Sequence, residues 1–252
     1  WRFELTGTMA AIPARYYDPP ERAGHAFAPM LVWLSPDGRR VLRRDYWGDT
    51  AMTFLYDLHY RLLLGKTGAV VMGIAGLGML LLLLSGLWAW WPPAGRYAKA
   101  LRYKPAAPPL RRLRDLHKLT GLASLLLLLL FVGTGVMLSL PAQSDAVLGW
   151  LLAPVDVMPP VRSRTPAGRT QMGPEQALAS ALAALPGASA RWIETPGDAH
   201  GVYTLRLHVP GDPSPRFPHS FVHVDAFDGH VLASVDARRA GPATTVNNWL
   251  HP

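Results

Sequence analysis

His59, His117 and His251 each stand directly after a leucine, and the first two of them precede long apolar runs. Imidazole is a common axial ligand of haem iron and a common ligand of other metals. An ionisable group embedded in a membrane is a candidate functional residue by default. Haem or metal ligation is therefore the first chemistry to consider, and anchoring of a polar ring at the lipid headgroups is the simpler alternative.

Two long apolar runs provide the elements that would position these histidines. Residues 67–91 and 119–140 are long enough to cross the hydrocarbon core as helices, which need about 20 residues. Neither run contains a carboxylate, and metal transport through a helix bundle would need carboxylates inside the membrane. The pattern predicts two complete transmembrane helices, with His59 and His117 at their beginnings.

The basic residues are concentrated between the two apolar runs. Residues 92–118 contain eight Lys and Arg side chains and one acid, while the whole chain has a net charge of +8. The positive-inside rule makes this loop cytoplasmic and puts both flanking regions outside, in a bacterial periplasm. The same basic residues also predict contact with anionic lipid. No nucleic-acid-binding motif accompanies the basic residues, so we expect no nucleic-acid partner.

Two further patterns describe the regions outside the apolar runs. Asp37-Gly38 and Asp228-Gly229 each stand between alternating apolar residues, which is a strong signal for a β-hairpin. Residues 173–185 predict a helix that begins at Pro174, and residues 191–195 and 202–209 predict strands. The larger region is thus one helix packed on a small antiparallel sheet. The smaller region is a reduced copy of it or pairs with it.

An internal repeat suggests that the chain belongs to a longer protein. Thr6-Gly7-Thr8-Met9 resembles Thr134-Gly135-Val136-Met137, where the second predicted helix ends, and both hairpins are followed by a Leu-His pair. Residues 1–9 are therefore expected to end a preceding helix, and residues 250–252 to begin a following one. The parent protein would have four helices. Because the chain has no cysteine, disulfides and thiolate ligands are excluded.

The predicted fold class is a membrane α-helical bundle with a periplasmic α+β domain. Its segments are the end of a preceding helix at 1–9, a periplasmic hairpin region at 10–50, a transmembrane helix with an entrance extension at 51–91, a basic cytoplasmic loop at 92–115, a transmembrane helix at 116–140, the larger periplasmic domain at 141–249 and the start of a further helix at 250–252.

Several short motifs, in this order, resemble the PepSY-associated transmembrane family. They are the helix entrances Leu58-His59-Tyr60-Arg61 with Gly65 and Gly68, and Leu116-His117 with Gly121; the exits Ser85-Gly86-Leu87-Trp88 and Thr134-Gly135; and the external helix with its Asp-Gly hairpin. The family includes iron-regulated inner-membrane proteins and siderophore reductases. The resemblance implies a multi-pass inner-membrane b-haem oxidoreductase that passes electrons from an unidentified donor to a periplasmic ferric siderophore or similar iron complex.

Topology assigns the histidines to two membrane faces. His59 and His251 precede helices that enter from outside, whereas His117 precedes one that enters from the cytoplasm. Paired imidazoles from facing helices would hold haem b near each face, so two haems are expected in the full-length protein. Arg61 and Lys66 are candidates to pair with haem propionates, and snorkelling to lipid phosphate is an equal alternative.

Two alternatives concern the external region. A non-catalytic protein, in which the PepSY-like domain binds peptide or a partner protein and the helices only anchor it, fits the same sequence, because a sheet edge can add a strand. His208, His219, His223 and His230 lie on the external strands, where they are surface histidines or, with Asp225 or Asp228, a weak metal site. No motif of a hydrolase or a nicotinamide enzyme is present.

Overall fold

A computed structural model describes residues 1–7, 10–25, 27–163 and 170–250 of the chain. The strands are β1 (Arg2–Glu4), β2 (Ile12–Tyr16), β3 (Met30–Leu34), β4 (Val41–Tyr46), β5 (Ser189–Glu194), β6 (Val202–His208), β7 (Ser220–Asp225) and β8 (Val231–Val235). The helices are α1 (Ala51–Arg61), α2 (Gly65–Trp90), α3 (Tyr97–Ala100), α4 (Pro109–Ser139), α5 (Pro141–Leu151), α6 (Pro174–Ala184) and α7 (Pro242–Leu250), with 3₁₀ turns at Pro20–Arg22 and Ala237–Arg239. The chain divides into two compact units, one formed by Trp1–Asp57 with Asp145–Pro252 and the other by Leu58–Ser144.

The first unit, which we call the sheet domain, is built on one eight-stranded sheet. The strand order is β4-β3-β2-β1-β5-β6-β7-β8, and every neighbouring pair is antiparallel. Both predicted Asp-Gly hairpins are confirmed, because β3 pairs with β4 and β7 pairs with β8. The sheet is larger than the small one that was predicted, since β1 joins the two regions by pairing with both β2 and β5.

The core of the sheet domain lies between α6 and strands β5 to β8. Alternation along β6 sends Tyr203, Leu205 and Leu207 to this face, where all three are buried. Helix α6 begins with Pro174 at its first position and presents Ala177 and Ala181, which are fully buried, to the sheet. The predicted helix and the strands that follow it are therefore confirmed.

The second unit, which we call the helix pair, contains both candidate membrane spans. Helices α2 and α4 are long and apolar enough to cross a membrane, with a mean hydropathy of 2.4 in the most apolar window of each. Only 6% of that window in α2 and 0% in α4 is buried inside the protein. Such exposed apolar surface suits a lipid environment, whereas a core helix of a soluble protein would be mostly buried.

The structure corrects the prediction for residues 1–9. Arg2–Glu4 forms strand β1 inside the sheet, with Phe3 opposite Ala14 on one side and Ile193 on the other, so the prediction that this segment ends a transmembrane helix is wrong there. Thr8 and Met9 lie outside the described residues. The Thr-Gly repeat was misleading because four residues of local similarity carry no information about the distant strands that pair with a segment.

The structure also moves three helix boundaries. The segment 51–91 is two helices, because the chain turns between Arg61 and Gly65. Helix α4 begins at Pro109 and not at 116, because Pro is suited to the first helical position. The earlier start of α4 makes the basic loop shorter than predicted. The residues that precede His251 form α7, whose Ala243 and Thr244 are buried in the sheet domain.

Candidate functional site

Glycines on α2 set how the two long helices pack. Gly73 faces Leu140 and Gly76 faces Val136, so positions later on α2 meet positions earlier in α4, and the helices are antiparallel. A Cβ on Gly73 would overlap the Leu140 side chain. These two glycines therefore serve close helix packing, as small residues do in membrane bundles. Gly78, Gly133 and Gly135 have open space where a Cβ would stand.

His59 lies in the last turn of α1 with an exposed side chain. The neighbouring Tyr60 hydroxyl donates a hydrogen bond of 3.2 Å to the carbonyl oxygen of Leu138. This bond fixes the end of α1 beside the last turn of α4. Among the described residues, no hydrogen bond to the His59 ring is found, so its nitrogens are available to an outside ligand.

A strained turn separates His59 from α2. Leu62 and Leu63 adopt positive φ values of 52° and 58°, and Gly65 has a φ of 59°. Left-handed backbone costs about 1 kcal/mol or more at each non-glycine residue, and such strain clusters at functional sites. The turn also brings the carbonyl oxygen of Arg61 against Gly68, where a Cβ would overlap it. Gly68 is thus required by the close approach of α1 to α2.

His117 lies at the other end of the helix pair. It is exposed on α4, beside an ion pair in which Lys118 Nζ lies 3.1 Å from Asp115 Oδ1. The distance along α4 from His117 to Leu138, which accepts the hydrogen bond from Tyr60, is about 30 Å at the helical rise per residue. The two imidazoles therefore cannot bind one iron together. Each end of the pair therefore offers one imidazole to a metal or cofactor, and a second imidazole would have to come from outside the pair.

The remaining members of the predicted haem site are placed as follows. The Arg61 guanidinium lies over the Tyr60 ring at 5.1 Å from its centroid, and Lys66 is exposed in the first turn of α2. Both cations are thus on the His59 end of the pair. His251 lies outside the described residues, so its predicted pairing with His59 stays a prediction.

The histidines of the sheet domain form no metal cluster in the part of the chain that the structure describes, where no three His, Cys, Asp or Glu side chains lie together. His223 Nδ1 is 2.9 Å from Thr204 Oγ1, and burial lowers the pKa of His223. His219 Nδ1 is 2.9 Å from Asp212 Oδ1. The Cα partner of His223 in β8 is Ala233, so the hairpin does not place His230 opposite it.

Comparison of the chain with known protein families identifies the family to which it belongs. A family model described as the PepSY-associated TM region matches residues 5–252. The chain belongs to this family. It is accordingly a PepSY-associated membrane protein, and the recognition made from its short motifs is confirmed. No curated protein matches the chain significantly.

Two features of this PepSY-associated protein were missed in the sequence. The first is a cavity of about 410 Å³ between the basic loop and the start of α4. The second is a row of polar side chains on the sheet face opposite α6, described below. The excess of basic residues in 92–118 indicated a positively charged region, but it did not show which of these side chains line a common cavity. The polar row had no local signal, because its members come from strands far apart in the chain.

Proposed function

We propose that the helix pair holds haem b near each end and that the protein is an inner-membrane reductase. The observation that carries this proposal is that His59 and His117, the two histidines of the helix pair, occupy its opposite ends with exposed side chains. Imidazole is the donor that b-type haem uses in helix bundles, so the donor type fits. Haem, when bound, supplies one-electron chemistry.

The other side chains of the pair have supporting roles in this proposal. His59 would ligate iron at one end with His251 as the second ligand, and His117 at the other end with a histidine from another helix. Lys66 and Arg61 would neutralise propionates beside His59, since charge-assisted pairs of this kind are strong. The apolar faces of α2 and α4 exclude water between the two sites.

The proposed reaction transfers one electron at a time to a periplasmic ferric siderophore or similar iron complex. A reductant at the cytoplasmic face loses the electron, and one Fe(III) becomes Fe(II) at the other face. No covalent bond in the protein forms or breaks. Reduction weakens the hold of oxygen ligands on the iron, so release follows. The substrate class rests on the family resemblance alone.

Vesicle reconstitution tests the reductase directly. Haem-loaded protein is placed in vesicles that contain dithionite, a ferric hydroxamate complex is added outside, and a coloured chelator traps Fe(II). We expect Fe(II) to form faster than with protein-free vesicles and His117→Ala vesicles. If haem is reduced in the vesicles but Fe(II) appears no faster than without protein, the reductase proposal is wrong.

A non-catalytic anchor is the second candidate function, and the free edge of the sheet favours it. Strand β4 is at one end of the strand order, and its Val41 and Leu42 side chains are 62% and 55% exposed. An extended peptide adding to this edge would gain main-chain hydrogen bonds and cover both side chains. A protein that stays colourless under full haem supply, and whose β4 amides gain protection from exchange when a partner peptide is added, would establish this function instead.

We further propose that the basic cavity binds the phosphate of an anionic lipid. Six of its lining side chains are basic, namely Lys99, Arg102, Lys104, Arg111, Arg114 and Lys118, against the single carboxylate of Asp115. No side chain caps the first turn of α4, which carries Leu110 and Arg111 of the lining, so the positive end of the helix dipole faces the same space. Basic pockets beside membrane helices suit phospholipid headgroups.

The double substitution Arg111→Gln with Arg114→Gln is expected to weaken phosphatidylglycerol binding by about 2 kcal/mol, at about 1 kcal/mol for each cation near the membrane surface. The matched control is Arg96→Gln with Arg112→Gln, which removes two charges from the same segment but from residues that do not line the cavity. Binding is measured as the rise in unfolding temperature when phosphatidylglycerol is added to protein in neutral detergent. Equal losses in the two double variants would show that only diffuse surface charge matters.

A further inference from the structure

The sheet face opposite α6 carries a row of polar side chains in direct register. Arg15 faces Arg2, Arg2 faces Glu194, Glu194 faces Thr204, and Thr204 faces His223 across successive strand pairs. Partners in an antiparallel ladder share one face, so all five side chains lie on the same side. Arg206, two positions beyond Thr204 on β6, lies on that side too. The alternating residues Ile193, Leu205 and Val222 face the core beneath α6.

Aromatic rings hold two arginines of this row in place. The Arg15 guanidinium lies 5.3 Å from the centroid of Trp192, and that of Arg206 lies 4.6 Å from the centroid of Phe221. Trp192 is itself fixed, because it is 1% exposed and its Nε1 donates a hydrogen bond of 2.6 Å to the carbonyl oxygen of Arg216. A guanidinium that stacks on a ring keeps its N–H donors free in its own plane, and little further side-chain entropy is lost when they bind an anion.

Within the row, three arginines stand against one carboxylate, and two further carboxylates of this face, Glu4 and Asp225, are bonded to Arg216 and to the Ser163 hydroxyl. Glu194 is the only carboxylate among its members, and its Oε2 already accepts two hydrogen bonds from Arg2, of 3.0 and 2.7 Å. In the described ranges, no carboxylate forms an ion pair with Arg15 or Arg206. Burial, together with the nearby charges of Arg2 and Arg15, lowers the pKa of Arg206, although Glu194 and Tyr17 oppose this. Half-buried cations without counter-charges are stabilised when an anion arrives.

We infer that this sheet face is a binding site for a small anion with two or more carboxylate groups. Arg15 and Arg206 each bind one carboxylate with their in-plane donors, because guanidinium and carboxylate match in a two-bond fork. Thr204 lies two positions before Arg206 on β6 and offers a hydroxyl beside that arginine. Glu194, which lies between Arg15 and Arg206 across the strands, is neutralised by its ion pair with Arg2. The inference concerns the sheet domain alone and does not depend on haem.

Titration calorimetry of the whole chain in neutral detergent tests the site, with citrate as the probe and acetate as the single-carboxylate comparison. At constant ionic strength we expect saturable binding of one citrate, at least tenfold tighter than acetate. Arg15→Gln with Arg206→Gln is expected to lose at least tenfold in citrate affinity. The control is Arg44→Gln with Arg239→Gln, which removes the same charge from exposed arginines of the same unit and is expected to change the affinity less than twofold.

A substitution that is expected to strengthen citrate binding distinguishes a specific site from a folding defect. Glu194→Gln removes the negative charge of the row and releases Arg2, so citrate affinity is expected to rise severalfold. The site is refuted if citrate does not bind the natural chain, if both arginine pairs lose affinity equally, or if Glu194→Gln weakens binding. Because the readout is heat of binding and not colour or electron transfer, its failure leaves the haem proposal standing, and the reverse also holds.

Discussion

His59→Ala is expected to remove one of two b-type haems, and His117→Ala is expected to remove the other. The two histidines are about 30 Å apart along the helix pair, so neither can compensate for the other at its own site. Each of these imidazoles would hold one haem, so its removal would weaken haem binding, and haem retention during purification should fall at least tenfold. The measurement is haem content per protein together with reduced-minus-oxidised absorption spectra.

Two controls distinguish loss of a ligand from loss of structure. His200→Ala removes an exposed histidine of the sheet domain and should leave both haem signals intact. Imidazole added during expression or purification should restore the missing signal in His59→Gly, because the free ring can occupy the space of the side chain. A variant in which both signals fall together would contradict the assignment of one histidine to each end.

Gly68→Ala is expected to destabilise the helix pair by about 3 kcal/mol, near the upper end for a side chain forced into a filled space. The new Cβ would overlap the carbonyl oxygen of Arg61, which is backbone and cannot rotate away. Relief requires α1 to move from α2, and His59 lies two residues before that carbonyl. We therefore expect a lower unfolding temperature in detergent together with loss of the haem signal assigned to His59.

Gly78→Ala is the matched control, because it makes the same change on the same helix where a Cβ meets open space. It should keep the unfolding temperature within experimental error or raise it slightly, since Ala favours helix more than Gly does. If Gly68→Ala is as harmless as Gly78→Ala, the close approach of α1 to α2 does not contribute to stability.

Sequence patterns correctly predicted those elements that are determined by a few neighbouring residues. The Asp-Gly turns, the alternation along β6 and the Pro174 start of α6 each specify an element from a few neighbouring residues, and all three appear in the structure. The apolar runs likewise predict α2 and α4. A single apolar segment in lipid can satisfy its own backbone hydrogen bonds only as a helix.

Long-range pairing and local strain could not be predicted in the same way. Strand β1 is held between β2 and β5, and residues 2–4 contain no signal for partners almost 200 positions away. The break after Arg61 falls at Leu62 and Leu63, which are good helix formers, so only Gly65 and Gly68 hinted at it. For the same reason the sequence placed His59 at the entrance of one long helix, whereas it lies at the end of a separate one.

Haem content and the absorption spectrum of the purified chain decide whether His59 and His117 bind haem. The protein should be produced in a bacterial membrane with ample haem and then examined by reduced-minus-oxidised absorption. We expect the sharp absorption bands of b-type haem, divided between the His59 and His117 sites. A well-folded protein that carries no haem under these conditions would contradict this proposal.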